Sequence, residues 1–269
     1  MTWVVGIPTM FGYSVGLADI QATITFNDRT KKYFDCVQKI FPIEKFIVAG
    51  FCGSIKIGFK LIEDLKRYGQ LPDQSVAWVP DLLVQRWRRR ARRIFSQLPA
   101  GEQRSTQIIL LGVYPQRDNG IPGEPQSYCC IMRSPEFEPI KINPGRIDSI
   151  GSGNNVDQYL EVINSINSDA YHPLMQLEVN NPGGYGRALM IRLSLDVEQT
   201  PTSGISNHFH YYLARRGSIE YGNNDHQVTP MVGQATNITM PTRIAKNWEE
   251  FNEIMEDEGI NLAECEATA

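Results

Sequence analysis

Residues 47–65 read IVAGFCGSIKIGFKLIEDL, and two periodicities meet inside them. The run at 46–49 is apolar without alternation, which is what a strand buried on both faces requires. From Ser54 onward the apolar residues Ile57, Leu61, Ile62 and Leu65 recur every three to four positions, the spacing of one helix face, and Ser54 stands where an N-cap hydroxyl is wanted. Gly50 and Gly53 lie between the two patterns. A buried strand therefore runs almost directly into a helix.

The same reading extends in both directions. Upstream, residues 2–7 (TWVVGI), 13–18, 22–26 and 37–43 read as short strands, punctuated by Pro8, Gly12 and a polar corner at 19–21, with 27–32 as a polar connection. Downstream, 81–98 predicts a second helix with Pro80 near its first turn and Trp87, Ala91, Ile94 and Phe95 on its apolar face. Strand patterns return at 107–113, 128–132 and 138–142. Helical spacing follows at 156–166 and 187–197, and strands close at 208–214 and 218–221. Strands and helix pairs in this order predict an α+β fold, a four-layer αββα sandwich, over residues 1–240. Residues 241–269 read as an appended helix carrying Trp248, Phe251, Ile254 and Met255, then a loose polar tail.

Composition narrows the functional classes. The chain has 269 residues, 42% of them hydrophobic, which suits a globular protein with a substantial core. No run approaches the ~18 apolar residues of a membrane helix, so a soluble, cytoplasmic protein without a membrane partner is expected. Five cysteines, Cys36, Cys52, Cys129, Cys130 and Cys265, are odd in number and irregularly spaced, and read as free thiols. A net charge of −4 gives no general attraction to nucleic acid. The exception is local: six arginines lie within 86–93. Contact with acidic residues of a neighbouring subunit, such as those at 249–258, is the preferred reading of that face over a phosphate backbone. Among His172, His208, His210 and His226, an HxH pair on one strand face lacks an evident third ligand, so neither metal nor other cofactor is expected.

The chemical signal is at the start. An initiator methionine followed by a small residue is normally excised, which leaves Thr2 with a free α-amine beside its hydroxyl. A hydroxyl needs an adjacent base to attack a carbonyl, and an α-amine of ordinary pKa about 7.7–8.0 is well matched to that task.

TWVVGI at 2–7, GLAD at 16–19, IVAGFCGS at 47–54 and IGSG at 150–153 occur in the order in which similar pieces occur in proteasome β-subunits and the bacterial proteasome-like peptidases. The chain resembles these N-terminal-nucleophile hydrolases well over about its first seventy residues, and beyond them chiefly around IGSG. The resemblance implies Thr2 as nucleophile, Asp19 as the carboxylate that orients a lysine, and Lys39 as that lysine, with Lys32 as the alternative. It implies Gly50 as an oxyanion donor and Val48 and Cys52 as the walls of a substrate side-chain pocket. Ser152 matches a serine that bonds the N-terminal amine, although an ordinary glycine turn that caps a helix is an equal reading. Ser203, followed by Gly204, matches a second serine. The aspartate expected three residues ahead of it is replaced by Thr200, with Asp196 as the nearby substitute. The expected function is a threonine peptidase acting on protein or peptide substrates inside a ring-shaped homo-oligomer, with an ATP-dependent unfoldase left open as partner. The alternative is a ring-forming subunit without catalysis.

Overall fold

A computed structural model of the chain describes residues 2–70, 80–114, 127–168, 175–199, 205–215, 218–225, 228–229, 234–235 and 238–269. It begins with strands β1 (Val4–Pro8), β2 (Ser14–Asp19), β3 (Gln21–Phe26), β4 (Lys31–Asp35), β5 (Ile40–Glu44) and β6 (Ile47–Gly53). Helices α1 (Ile55–Gly69) and α2 (Pro80–Ser96) follow, and then β7 (Thr106–Val113), β8 (Ser127–Arg133), β9 (Ile140–Lys141) and β10 (Asp148–Ile150). Helices α3 (Asp157–Ser168), α4 (Gln176–Asn180) and α5 (Gly184–Gln199) precede β11 (Phe209–Arg215), β12 (Ser218–Asn223), β13 (Val228–Thr229) and β14 (Gln234–Ala235). The last elements are α6 (Trp248–Asp257) and β15 (Cys265–Thr268).

The strands pair as two five-stranded sheets, β10-β1-β2-β11-β12 and β5-β6-β7-β8-β9, a three-stranded sheet β15-β3-β4, and the ribbon β13-β14. Every ladder within them is antiparallel. The expected four-layer αββα sandwich is thereby corrected. The described chain is mostly β, with three antiparallel sheets of 13 strands between them, the ribbon and six helices. The physical reason is local: β4 is largely exposed and β15 is a short, half-buried CEAT, so hydrophobic periodicity did not mark the third sheet that they form with β3.

Within that architecture the buried strand and its helix are as read. β6 lies between β5 and β7, and Ser54 caps α1 by accepting from the Ile57 N–H at 3.4 Å. The apolar faces of α1, α2 and α6 meet Phe41, Ala49, Phe51 and Leu110 in one core. Leu189 and Leu193 of α5 and Tyr159 of α3 pack on Trp3, Val5 and Leu17 in a second. Val4 and Ala18 meet Ile40, Val48 and Ile109 in a third, which joins the two larger sheets. Successive residues of β1 thus enter different cores, which is why its sequence is apolar without alternation. The tail expected to be loose is the strand β15, paired with β3 from Cys265 opposite Phe26 to Thr268 opposite Thr23.

The arginine face of α2 finds its carboxylates within the chain. Arg88 pairs with Glu138, Arg92 with Glu136, and Arg90 with the buried Asp64 at 2.6 Å. Four of the cysteines are buried and Cys265 is partly so, all as free thiols. Among the described residues no helix is long and apolar enough to cross a membrane.

His210, in β11, is buried against Tyr221 with an unpaired Nδ1, and burial first and Lys246 second push its pKa down to about 4. The unfolded chain binds that proton near the ordinary histidine value, so folding stability falls as pH drops through the interval between the two values. The loss should reach about 2 kcal/mol between pH 7 and pH 5. Urea unfolding of the parent chain and of His210→Phe at both pH values checks this. The variant should lose that share of the acid sensitivity, and identical pH dependence in both chains contradicts it.

Candidate functional site

Three side chains from three strand ends meet in the interior. Asp19 closes β2, Thr2 lies just ahead of β1, and the register that sets Val4 opposite Ala18 brings the two ends together. The Asp19 carboxylate completes the closure, because its Oδ2 accepts from the Trp3 N–H at 2.7 Å and its Oδ1 from the Gln21 N–H at 2.9 Å. Lys39 enters from just before β5, where its carbonyl accepts from the Phe51 N–H of β6 at 2.9 Å. Its Nζ donates to Asp19 Oδ1 at 2.7 Å and to Thr2 Oγ1 at 3.2 Å. Thr2 is 1% exposed, and Asp19 and Lys39 are fully buried.

Removing two charges from water is tolerable only because they neutralise each other and Asp19 collects two further backbone donors. Burial is the dominant influence on Lys39 and pushes its pKa below the ordinary lysine value, against the opposing pull of Asp19. A lysine held in this way carries its proton less tightly than one in water, and that proton lies on the Thr2 hydroxyl oxygen.

The loop of 149–154 wraps residue 2. Ser152 Oγ accepts from the Thr2 nitrogen at 2.8 Å, and the Gly153 N–H donates to the Thr2 carbonyl at 2.9 Å. Gly151 has φ of +98°, and a Cβ there would stand 2.3 Å from the Thr2 carbonyl oxygen, so only glycine lets the loop close on this residue. With residue 1 attached, the Thr2 nitrogen is a peptide N–H. With residue 1 removed it is an α-amine, and Ser152 is already placed to bond it.

A cleft of about 480 Å³ opens beside this loop, and its walls include Ser152, Cys52, Gly53, Thr23, Thr268 and Ala269. Of the two pocket residues expected from the sequence, Cys52 lines the cleft, whereas Val48 is buried in the core between the larger sheets. Burial raises the Cys52 thiol to about 12, so it stays protonated near neutral pH and is no rival nucleophile. Gly50 lies in mid-strand, opposite Ile40 and Ile109, and the space where a side chain would stand is bounded by Val4 and the Lys39 carbonyl. The glycine whose backbone faces the cleft is Gly53, at the end of β6. Its φ is +96°, and an added Cβ would meet the Ser105 carbonyl oxygen at 2.1 Å. A glycine that ends a buried strand one residue before a helix cap was its sequence signal.

The remaining candidates divide clearly. Lys32 is exposed on β4, with its ammonium 5.7 Å from the centre of the Phe26 ring, away from Thr2. Asp196 is engaged by Arg192 one helical turn earlier. Ser203, with Thr200 and Gly204, lies outside the described residues, as do His172 and His226. His208 Nδ1 meets both Asp35 Oδ2 at 2.8 Å and Ser206 Oγ at 3.0 Å, while its Nε2 faces the Thr239 carbonyl at 3.1 Å. Serine and aspartate share one ring nitrogen, so the ring cannot pass a proton between them through its two nitrogens. Among the described residues no group of three or more His, Cys, Asp or Glu side chains could hold a metal ion.

No protein-family model matches the chain, and no curated protein is a significant match to it.

The ion pair has a measurable consequence. Lys39→Met leaves the Asp19 carboxylate buried without its cation and should cost about 3–5 kcal/mol of folding stability. Asp19→Asn added to the same chain removes the stranded charge and should recover at least about 1 kcal/mol of that loss. Urea unfolding of the parent, single and double variants checks both statements, and absence of recovery contradicts the pairing.

Proposed function

We propose that the chain is an amide hydrolase acting on peptides, with Thr2 as its nucleophile once residue 1 has been removed. The observation that carries this reading is the contact of the buried Lys39–Asp19 pair with the hydroxyl of Thr2, whose nitrogen becomes an α-amine if residue 1 is removed. A lysine donating to a buried threonine has little structural purpose that a methionine and a valine would not serve at lower electrostatic cost. Its position suits the stabilisation of a developing alkoxide.

In this mechanism the α-amine of Thr2 takes the hydroxyl proton as Oγ1 attacks the substrate carbonyl carbon. Lys39, held by Asp19, stabilises the negative charge forming on Oγ1. The carbonyl oxygen becomes an oxyanion, for which the proposed donor is the Gly53 N–H once its bond to the Ala269 carbonyl is released. Collapse of the tetrahedral intermediate breaks the C–N bond, and the ammonium of Thr2 returns its proton to the leaving amine. Water, deprotonated by the same amine, then hydrolyses the ester and restores the hydroxyl. Ser152 orients the amine and can relay its proton.

The resemblance to proteasome β-subunits supplies the further proposal that copies of this chain close into a ring around their substrate, which sedimentation of the purified protein tests. The near-complete burial of Thr2 favours a second reading, a ring-forming subunit that does not catalyse. Hydrolysis of fluorogenic peptides separates the two. Material whose intact mass lacks residue 1 should cleave, and Thr2→Ala should lower the rate at least about a thousandfold. Lys39→Ala should do so at least about a hundredfold, and Lys32→Ala should leave it unchanged. Full activity in Thr2→Ala contradicts the assignment.

A further inference from the structure

At one wall of the cleft that Ser152 lines, a slot between two backbone edges is filled by the chain itself. Residues 265–269 run as an extended strand between two backbone edges. On one side β15 pairs with β3, Ala267 opposite Ile24 and Thr268 opposite Thr23, and Thr268 Oγ1 reaches the Thr23 carbonyl at 3.4 Å. On the other side Ala269 exchanges both of its backbone hydrogen bonds with Gly53. Its N–H donates to the Gly53 carbonyl at 2.7 Å, and its carbonyl accepts from the Gly53 N–H at 2.9 Å. A bridge between Thr268 and Ser54 continues this second edge.

Two features mark this strand as an occupant rather than a structural member. Its inner residues Ala267, Thr268 and Ala269 are small, so although Ala267 and Ala269 touch the core beneath β3, each brings few atoms to it, and backbone hydrogen bonds are a large part of what the strand surrenders. An incoming extended peptide can replace those bonds one for one, which is how strand addition gains affinity. Its location is the second feature. Thr268 and Ala269 share the cleft with Ser152, which bonds the Thr2 nitrogen, and with Gly53, whose N–H is spent on the Ala269 carbonyl.

We propose that residues 265–269 are a displaceable plug in a peptide-binding slot, and that their departure opens the edges of β3 and Gly53–Ser54 to an extended peptide with small side chains. The plug is a statement about binding. Its consequence for catalysis, an active site closed by its own chain until the strand leaves, rests on the reading of Thr2 given above.

The register supplies a lock for the full chain. Cys265 stands directly opposite Phe26, and opposed residues of antiparallel strands lie about 4.5–5.5 Å apart at Cα, within disulfide range. In a Phe26→Cys chain, oxidation should pin β15 to β3 and reduction should release it. Should that chain fail to fold, Thr25→Cys with Glu266→Cys places the next opposed pair at more exposed positions. The probe is a fluorescein-labelled peptide with the sequence of residues 261–269 and serine in place of Cys265, followed by anisotropy on chains that also carry Thr2→Ala. At least tenfold tighter binding to the reduced than to the oxidised form is expected. Equal binding to the two forms, or failure of both cysteine pairs to cross-link in folded protein, overturns the plug. Hydrolysis by the same lock in a chain that retains Thr2 should rise at least tenfold on reduction. No hydrolysis in either form, with peptide binding still controlled by the lock, overturns the reading of Thr2 and leaves the plug standing.

Discussion

The contact between Lys39 and Asp19 is the constraint around which this end of the molecule is organised. An ion pair with no exposure has a large desolvation cost, and it persists only where geometry is good and the remaining lone pairs are satisfied. Here the geometry comes from two sheets. Asp19 belongs to the end of β2, whereas Lys39 leads into β5 of the other five-stranded sheet, so the pair can form only if the two sheets are stacked in register. The core of Val4, Ala18, Ile40 and Val48 between them holds that register through apolar contact. Burial and charge thus constrain each other: the core positions the pair, and the pair penalises any slip of one sheet over the other.

The same constraint gives residue 2 its chemical environment. A threonine hydroxyl on the surface has water as its partner. This one has a lysine whose proton affinity burial has lowered, and a nitrogen already bonded by Ser152. The loop that carries Ser152 can come this close because Gly151 has no side chain, and Thr268 and Ala269 at the end of the neighbouring strand are small. Sheet ends therefore hold Thr2, Asp19 and Lys39, while a short loop and a short strand cover them.

Much of this was legible from local pattern. The buried β6 and the helix after it follow from an apolar run, two glycines and a capping serine, and α2, α5, β7 and β11 follow from periodicity alone. Asp19, Lys39, Thr2 and Ser152 were proposed together, and the structure brings these four within hydrogen-bond reach of one another. Lys39 was preferred to Lys32 because an apolar strand follows it, and the structure places Lys39 against Thr2 and Lys32 on an exposed strand. Gly50 was named from the resemblance alone, and only backbone geometry distinguishes that mid-strand glycine from the left-handed Gly53 at the strand end. The layer count failed because β4 and β15 lack an apolar pattern, and β15 pairs with a strand, β3, near the opposite end of the chain. The intrachain partners of the α2 arginines, Glu136, Glu138 and Asp64, were not legible because they lie far from that helix in sequence.

The most direct test of the account is to trap the nucleophile. Purified protein would be incubated with a short peptide bearing a vinyl sulfone at its C-terminus, and the modified residue mapped by mass spectrometry of the digested chain. The account predicts a single adduct on Thr2, confined to molecules that have lost residue 1 and absent from Lys39→Met. An adduct on another residue, or none on molecules with a free Thr2 amine, would contradict it.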